Sequence, residues 1–267
     1  MLHLAAQNDS LRSGVTASSP GRGSSFLLTL EGVSKSFGGV AALRAVDLSV
    51  SEGEILGLIG PNGSGKTTLF NLITGFYRPD AGRLSLRGED ITGWAPHRLA
   101  RKGIARTFQL VRPFHTLTAL ENVAVGRVYG REPARDRRQV DIEAGSLLDL
   151  VGLAGRATAA ARSLTLMDRK RLELARALAT RPVLLLLDEL LAGLNPSEAL
   201  TAVDLIRRIR DSGVTIILVE HLVGAVFGIS NRVVVLNAGE KIAEGTPADV
   251  AGDARVIDAY LGVVQDA

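Results

Sequence analysis

The nine residues Gly60–Thr68, GPNGSGKTT, constrain this 267-residue chain more than any other stretch. They place a glycine, four free positions, a second glycine, a lysine and a hydroxyl residue at Gly60, Gly65, Lys66 and Thr67. The preceding run Ile55–Ile59 has the length and apolar content of a buried strand, and Leu69, Leu72 and Ile73 recur afterwards at helical spacing. Glycines in such a loop let the backbone fold its N–H groups inward, and the N-terminus of the following helix adds the positive end of a dipole. Gly60, Pro61, Asn62, Gly63, Ser64, Gly65, Lys66, Thr67 and Thr68 are therefore read as a cradle for the phosphates of a nucleoside triphosphate. Lys66 should reach the β- and γ-phosphates, and Thr67 should coordinate Mg²⁺. A merely structural glycine turn is the alternative, and the strand before and helix after the loop argue against it.

A second signal lies downstream. Leu184–Leu187 lead straight into Asp188 and Glu189. A carboxylate pair ending a buried strand is costly unless it meets a cation or water. Alone it reads as a strand end. Beside a phosphate loop, Asp188 fits the magnesium-binding acid and Glu189 a base that orients an attacking water.

Composition narrows the class. Hydrophobic residues make up 46% and charged residues 22%, which suits a folded globular chain. The 31 basic and 28 acidic side chains leave a net charge of +3, too small an excess to argue for nucleic acid. The chain has no cysteine, which excludes disulfides and thiolate metal sites. The strongest apolar runs, Val183–Leu187 and Val214–Val219, fall far short of the ~18–20 residues that span a bilayer. They read instead as strands buried on both faces of a parallel sheet.

Residues 1–25 are rich in Ser, Gly and Arg without periodicity and are expected to be a flexible leader, or the product of a start placed too far upstream. From Phe26, strands are expected at Leu27–Leu30 and Ala45–Val50, and again at Val183–Leu187, Val214–Val219, Val233–Leu236 and Lys241–Ala243. The span Asp90–Ser163 reads as mostly helical and arginine-rich with weak strand signals. Its arginines at 127, 131, 135, 137 and 138 are interrupted by Glu132 and Asp136 and read as a solvated face. A helix is expected from Pro196 to Asp211, with Asn195 as N-cap, Glu198 closing a capping box, and Leu200, Val203 and Ile206 on its buried face. The expected fold is an α/β nucleotide-binding core with a helical insertion.

Six segments occur in an order that resembles the ABC transporter ATPases: the loop at 60–68, Gln109 in RTFQ, LTLMDRKRLELARAL at 164–178, LLLLDE at 184–189, AGLNP at 192–196 and Glu220–His221. The resemblance spans residues 26–263. It is nearest to the import ATPases of the branched-chain amino-acid type, on LIGPNGSGKTTLFNLITGFYRPDAG, GIARTFQ, AGLNP and the terminal VIDAYLG. It implies a phosphate-loop ATPase core with an antiparallel β subdomain and a helical subdomain inserted at about residues 90–180, followed by a tail at 264–267. It further implies that Phe37 stacks on adenine and that Gln109 contacts the magnesium site and senses a membrane subunit. His221 would bond the γ-phosphate and help hold the attacking water. Leu164, Thr165, Leu166, Met167 and Asp168 would begin a helix facing ATP on another subunit, with 192–196 at the same interface. ATP and Mg²⁺ follow as ligands. A second ATPase subunit, identical or not, and membrane permeases follow as partners, with a solute-binding protein acting indirectly. The chain would sit peripherally on the cytoplasmic face of the inner membrane.

Three positions depart from the family pattern. Met167 stands where a glycine is usual, Leu190 where proline follows the acid, and Leu222 where aspartate commonly follows the histidine. Glycine lets backbone N–H approach a γ-phosphate, and a methionine side chain could crowd it. Met167 keeps open an ATP-bound dimerisation subunit with weak or no hydrolysis, and a further alternative is a soluble ABC ATPase acting in DNA repair or translation. The latter would carry a long coiled-coil insertion or tandem cassettes, neither of which is present.

Overall fold

The structure is a computed structural model and describes residues 26–108 and 111–261. The expected leader at 1–25, the tail at 264–267 and Gln109 lie outside the described residues.

Two strands open the chain, β1 (Phe26–Phe37) and β2 (Val40–Ser51), both longer than their apolar stretches alone indicate. With β4 (Ala81–Leu86) and the short β5 (Glu89–Asp90) they form an antiparallel sheet in the order β2-β1-β4-β5. Between them run β3 (Ile55–Ile59) and α1 (Lys66–Ile73), the strand and helix that flank the glycine loop.

Next come α2 (Pro96–Lys102), β6 (Ile104–Arg106), α3 (Ala119–Tyr129), α4 (Arg137–Leu150) and α5 (Leu166–Ala179). The three-residue β6 was hidden in a stretch that reads as helical, because a strand this short carries no periodicity. The remaining strands are β7 (Leu184–Asp188), β8 (Thr215–Val219), β9 (Arg232–Asn237) and β10 (Glu240–Gly245). They alternate with α6 (Pro196–Asp211) and α7 (Val223–Ile229), and α8 (Pro247–Ala251) and α9 (Ala254–Leu261) close the described chain. The second sheet has the order β10-β9-β3-β8-β7-β6, parallel except for the edge strand β10.

Every residue of β3, β7 and β8 is buried, as their unbroken apolar runs predict for a parallel sheet covered on both faces. The pleat divides them between two cores. Ile55, Leu185, Leu187, Ile216 and Leu218 face the helices α3 to α7. Leu56, Leu58, Leu184, Leu186 and Ile217 face α1 and the antiparallel sheet. An α/β core with an antiparallel β layer and a helical layer is thus the observed architecture.

Two expectations fail locally. Asn195 does cap α6, accepting from the Glu198 N–H at 3.0 Å while Glu198 returns a bond to the Asn195 N–H. Leu200, however, is 68% exposed: the buried stripe is carried by Ile206 and Ile209 in the second half of α6. Arg127 is not solvated either. It is buried and pairs with Glu143 of α4, and Arg181 donates to both Glu143 and Glu132. Helical spacing turned Arg127 inward, where α3 packs on α4 and a partner carboxylate was available.

The hydrogen bond from Arg127 holds the Glu143 carboxyl down at about 2. A folded-state value below the unfolded one stabilises the fold fully above pH ~4.5 and loses that contribution as pH falls toward 2. Glu143→Gln should lower unfolding stability by about 1–2 kcal/mol at pH 7, read from urea midpoints. The same variant should lose less additional stability than the wild type between pH 5 and pH 3. Equal losses for both would show that Glu143 does not carry this part of the acid limb.

Candidate functional site

In parallel α/β sheets ligands bind beyond the carboxyl ends of the strands. Four strands end together here. β3 runs into the glycine loop, β6 into Thr107 and Phe108, β7 into Asp188–Glu189, and β8 into Glu220–His221.

The loop is built by close approach. Gly60 has φ 150° and a Cβ there would overlap the Leu236 carbonyl oxygen of β9, so only glycine fits. Gly65, at φ 107°, is the N-cap of α1, and a Cβ there would press on the Ala42 carbonyl and Leu43 of β2. The first turn of α1 carries no acidic residue, which leaves its N-terminus suited to an anion. Lys66 is buried and folds back over the loop, donating to Gly60 O at 2.8 Å and Pro61 O at 2.9 Å. Burial lowers its ammonium pKa, and Glu189 and Asp188 pull the other way. Pro61 and Thr68 are half-buried, Asn62, Gly63 and Thr67 are exposed, and Ser64 is buried beneath them.

Asp188 is buried at the end of β7, its N–H bonded to Thr107 Oγ1 at 3.2 Å. Its carboxylate Oδ2 accepts from Arg106 at 2.6 Å, and Arg106 also donates to Asn71 Oδ1 at 2.6 Å. Asp188 and Thr67 line the same groove. A carboxylate and a hydroxyl are hard oxygen donors of the kind magnesium takes, so the residues present fit that ion.

Glu189 turns the chain sharply at φ 51°, a left-handed conformation that costs about 1–3 kcal/mol for a residue with a Cβ. The turn brings its Oε1 to 2.7 Å from His221 Nε2. Behind this pair Glu220 is buried and accepts the Leu191 N–H at 2.6 Å, and burial pushes its pKa up to about 7. Lys170 of α5 donates to the carbonyls of Glu189 at 3.2 Å and Ala192 at 2.7 Å, fastening the segment at 192–196 to α5.

Lys66, Thr67, Asp188, Glu189 and His221 thus gather at one sheet end. Phe37, at the end of β1, is exposed, with the Tyr77 ring edge-on at 5.0 Å. The segment at 164–168 is separate. Leu164 is buried, Thr165 caps α5 by accepting the Asp168 N–H at 3.1 Å, and Leu166 is exposed. Met167 lines a cavity of about 340 Å³ with Leu190 and Leu194, and Asp168 is half-buried. Among the described residues no hydrogen bond or ion pair joins 164–168 to the loop at 60–68.

Arg106, Lys170, Glu173 and Glu220 stand inside the motif segments quoted above, but no role of their own was expected for them. Glu173 is buried, accepts the Phe108 N–H at 3.0 Å, and burial raises its pKa to about 7. For Arg106 a signal existed: a charged residue directly follows the apolar pair Ile104–Ala105, which ends a strand.

Comparison with known proteins agrees with this geometry. The profile of the family described as "ABC transporter" matches residues 43–192. That of "Branched-chain amino acid ATP-binding cassette transporter" matches residues 240–266. The chain is 42% identical to the high-affinity branched-chain amino acid transport ATP-binding protein BraF of Pseudomonas aeruginosa, covering 88% of this chain and 98% of that protein. It is 41% identical, with the same coverage, to LivG of Escherichia coli, which bears the same description. Among solved structures, an ATP-binding cassette of an ABC transporter in its ADP conformation superposes with a TM-score of 0.79 at 32% identity, over 89% of this chain and 99% of that one. A dimeric post-hydrolysis cassette bound to ADP and Pi gives 0.76 at 26% identity, over 82% and 98%. Motif order, site geometry and likeness over most of both chains place this protein in the family of ABC transporter ATP-binding cassettes.

Proposed function

We propose that this chain hydrolyses ATP as the energy-coupling subunit of an importer for branched-chain amino acids or related small polar solutes. The observation that carries the hydrolytic part is the 2.7 Å contact between Glu189 and His221 beside the phosphate loop. Lys66 and the loop N–H groups would grip the phosphates, with Phe37 against the adenine. Glu189 would accept the proton of the attacking water, and His221 would hold the Glu189 carboxylate and that water in line with the γ-phosphate. Thr67 and Asp188 would hold Mg²⁺, which neutralises charge on the phosphate oxygens when bound. Gln109 would complete that metal site.

The separation of 164–168 from the chain's own loop supports a shared site, in which Leu164, Thr165, Leu166, Met167 and Asp168 of one subunit close over ATP held by another. A groove of about 630 Å³ supports a permease seat. It is the groove already described at Thr67 and Asp188, and it is lined also by Phe76, Leu99, Phe108, Arg112 and Arg176. Among the described residues no helix is long and apolar enough to cross a membrane, which fits peripheral attachment through such permeases at the cytoplasmic face. A solute-binding protein would select cargo. The leader at 1–25 and an inserted helical subdomain within about 90–180 belong to the same reading.

Met167 favours a second reading for half of the assembly: the composite site formed with this chain's own 164–168 segment turns over slowly, and the partner ATPase is a different chain with an intact segment. Two predictions separate the cases. Glu189→Gln should leave ATP binding intact and cut turnover about a hundredfold or more, as removal of a general base does. Unchanged turnover would remove Glu189 from the base role. In the assembled transporter, Met167→Gly should raise ATPase turnover several-fold, and no gain would count against a slow composite site.

A further inference from the structure

Arg106 ends β6 at the point where two nucleotide-site motifs meet. Its two terminal nitrogens bond Asp188 Oδ2 and Asn71 Oδ1, each at 2.6 Å. Asn71 lies on α1, the helix that carries Lys66 and Thr67, and Asp188 ends β7. One planar guanidinium therefore ties the phosphate-loop helix to the acidic strand end. A lysine, as a compact point charge, would not span both acceptors with the same fork.

The pair is buried. The Arg106 and Asp188 side chains are 6% and 7% exposed, and the rings of Phe70 and Phe108 lie 5.3 and 5.0 Å from the guanidinium carbon. A carboxylate withdrawn from water needs a cation beside it. Here Arg106 supplies that cation. The fit is incomplete for Arg106, whose Nε is buried with no hydrogen-bond partner among the described residues. The guanidinium is thus placed for Asp188 rather than for its own full satisfaction.

A magnesium ion held by Thr67 and Asp188 would share this carboxylate with Arg106. It would carry two positive charges next to a fixed third, and like charges in a site of low polarity repel strongly. We propose that Arg106 is a positioning residue that holds Asp188 as a resident counter-cation and, by competing with magnesium for it, lowers the Mg²⁺ affinity of the site when a nucleoside diphosphate is bound. The proposal rests on the reading of residues 60–68 and Asp188 as a magnesium–nucleotide site.

The test is thermal unfolding of the full chain at saturating ADP with Mg²⁺ titrated, since binding to the folded state alone raises the melting temperature. Arg106→Gln keeps a donor for Asp188 and removes the charge, and the half-saturating Mg²⁺ concentration should fall by about tenfold. Arg106→Lys keeps the charge and should stay within about threefold of wild type. Asn71→Asp offers Arg106 a second carboxylate and should also lower half-saturation, which carries the test if Arg106→Gln does not fold. Unchanged or raised half-saturation in either folded variant would overturn the proposal, as would an equal fall for Arg106→Lys. Failure of both Arg106→Gln and Asn71→Asp to fold would make Arg106 purely structural and overturn it too. A wild type that gains no stability from ADP with Mg²⁺ would instead refute the nucleotide-site reading itself.

Discussion

A parallel sheet covered on both faces leaves polar groups room only at the ends of its strands. β3, β7 and β8 are buried throughout, and their side chains are apolar except for Thr215 at the start of β8 and Asp188 at the end of β7. The charges of the site then crowd into one small volume: Lys66 beyond β3, Arg106 at the end of β6, Asp188 and Glu189 at the end of β7, Glu220 and His221 beyond β8. Each carboxylate must find a donor there, and each does. Asp188 takes Arg106, Glu189 takes His221, and Glu220 takes the Leu191 N–H. The chemistry of the family is thus a consequence of how a doubly covered sheet must dispose of charge.

The same crowding accounts for the strain. Glu189 accepts a left-handed backbone, and Gly60 and Gly65 accept conformations closed to other residues, because β9 and β2 press the loop from behind. Burial moves Lys66 down and Glu220 up in pKa, each toward its neutral form. A bound triphosphate brings negative charge to the lysine and a metal brings positive charge to the acids. The site is in this sense half of an electrostatic structure, with the ligand as the other half.

Much of this was legible in the sequence, and the reason differs from place to place. Gly60, Gly65, Lys66 and Thr67 are legible because their spacing follows from one backbone shape. Asn195 and Glu198 are legible because a capping box is local. Leu200 misled because burial of a helix face depends on what packs against each turn, which helical spacing does not encode. Arg127 misled because a run of arginines looks solvated until a facing carboxylate, Glu143, is placed opposite it. Arg106 was invisible as a partner of Asp188, since the two are 82 residues apart and meet only through strand pairing of β6 with β7.

The central claim is that the buried lysine at the strand end is held for phosphate. Equilibrium binding of ATP with Mg²⁺ to the wild type and to Lys66→Ala tests it most directly. The account predicts saturable binding by the wild type and at least a tenfold loss of affinity in the variant, about 1.4 kcal/mol or more, with the fold intact. Equal affinity in the two chains, or no nucleotide binding by the wild type, would contradict it.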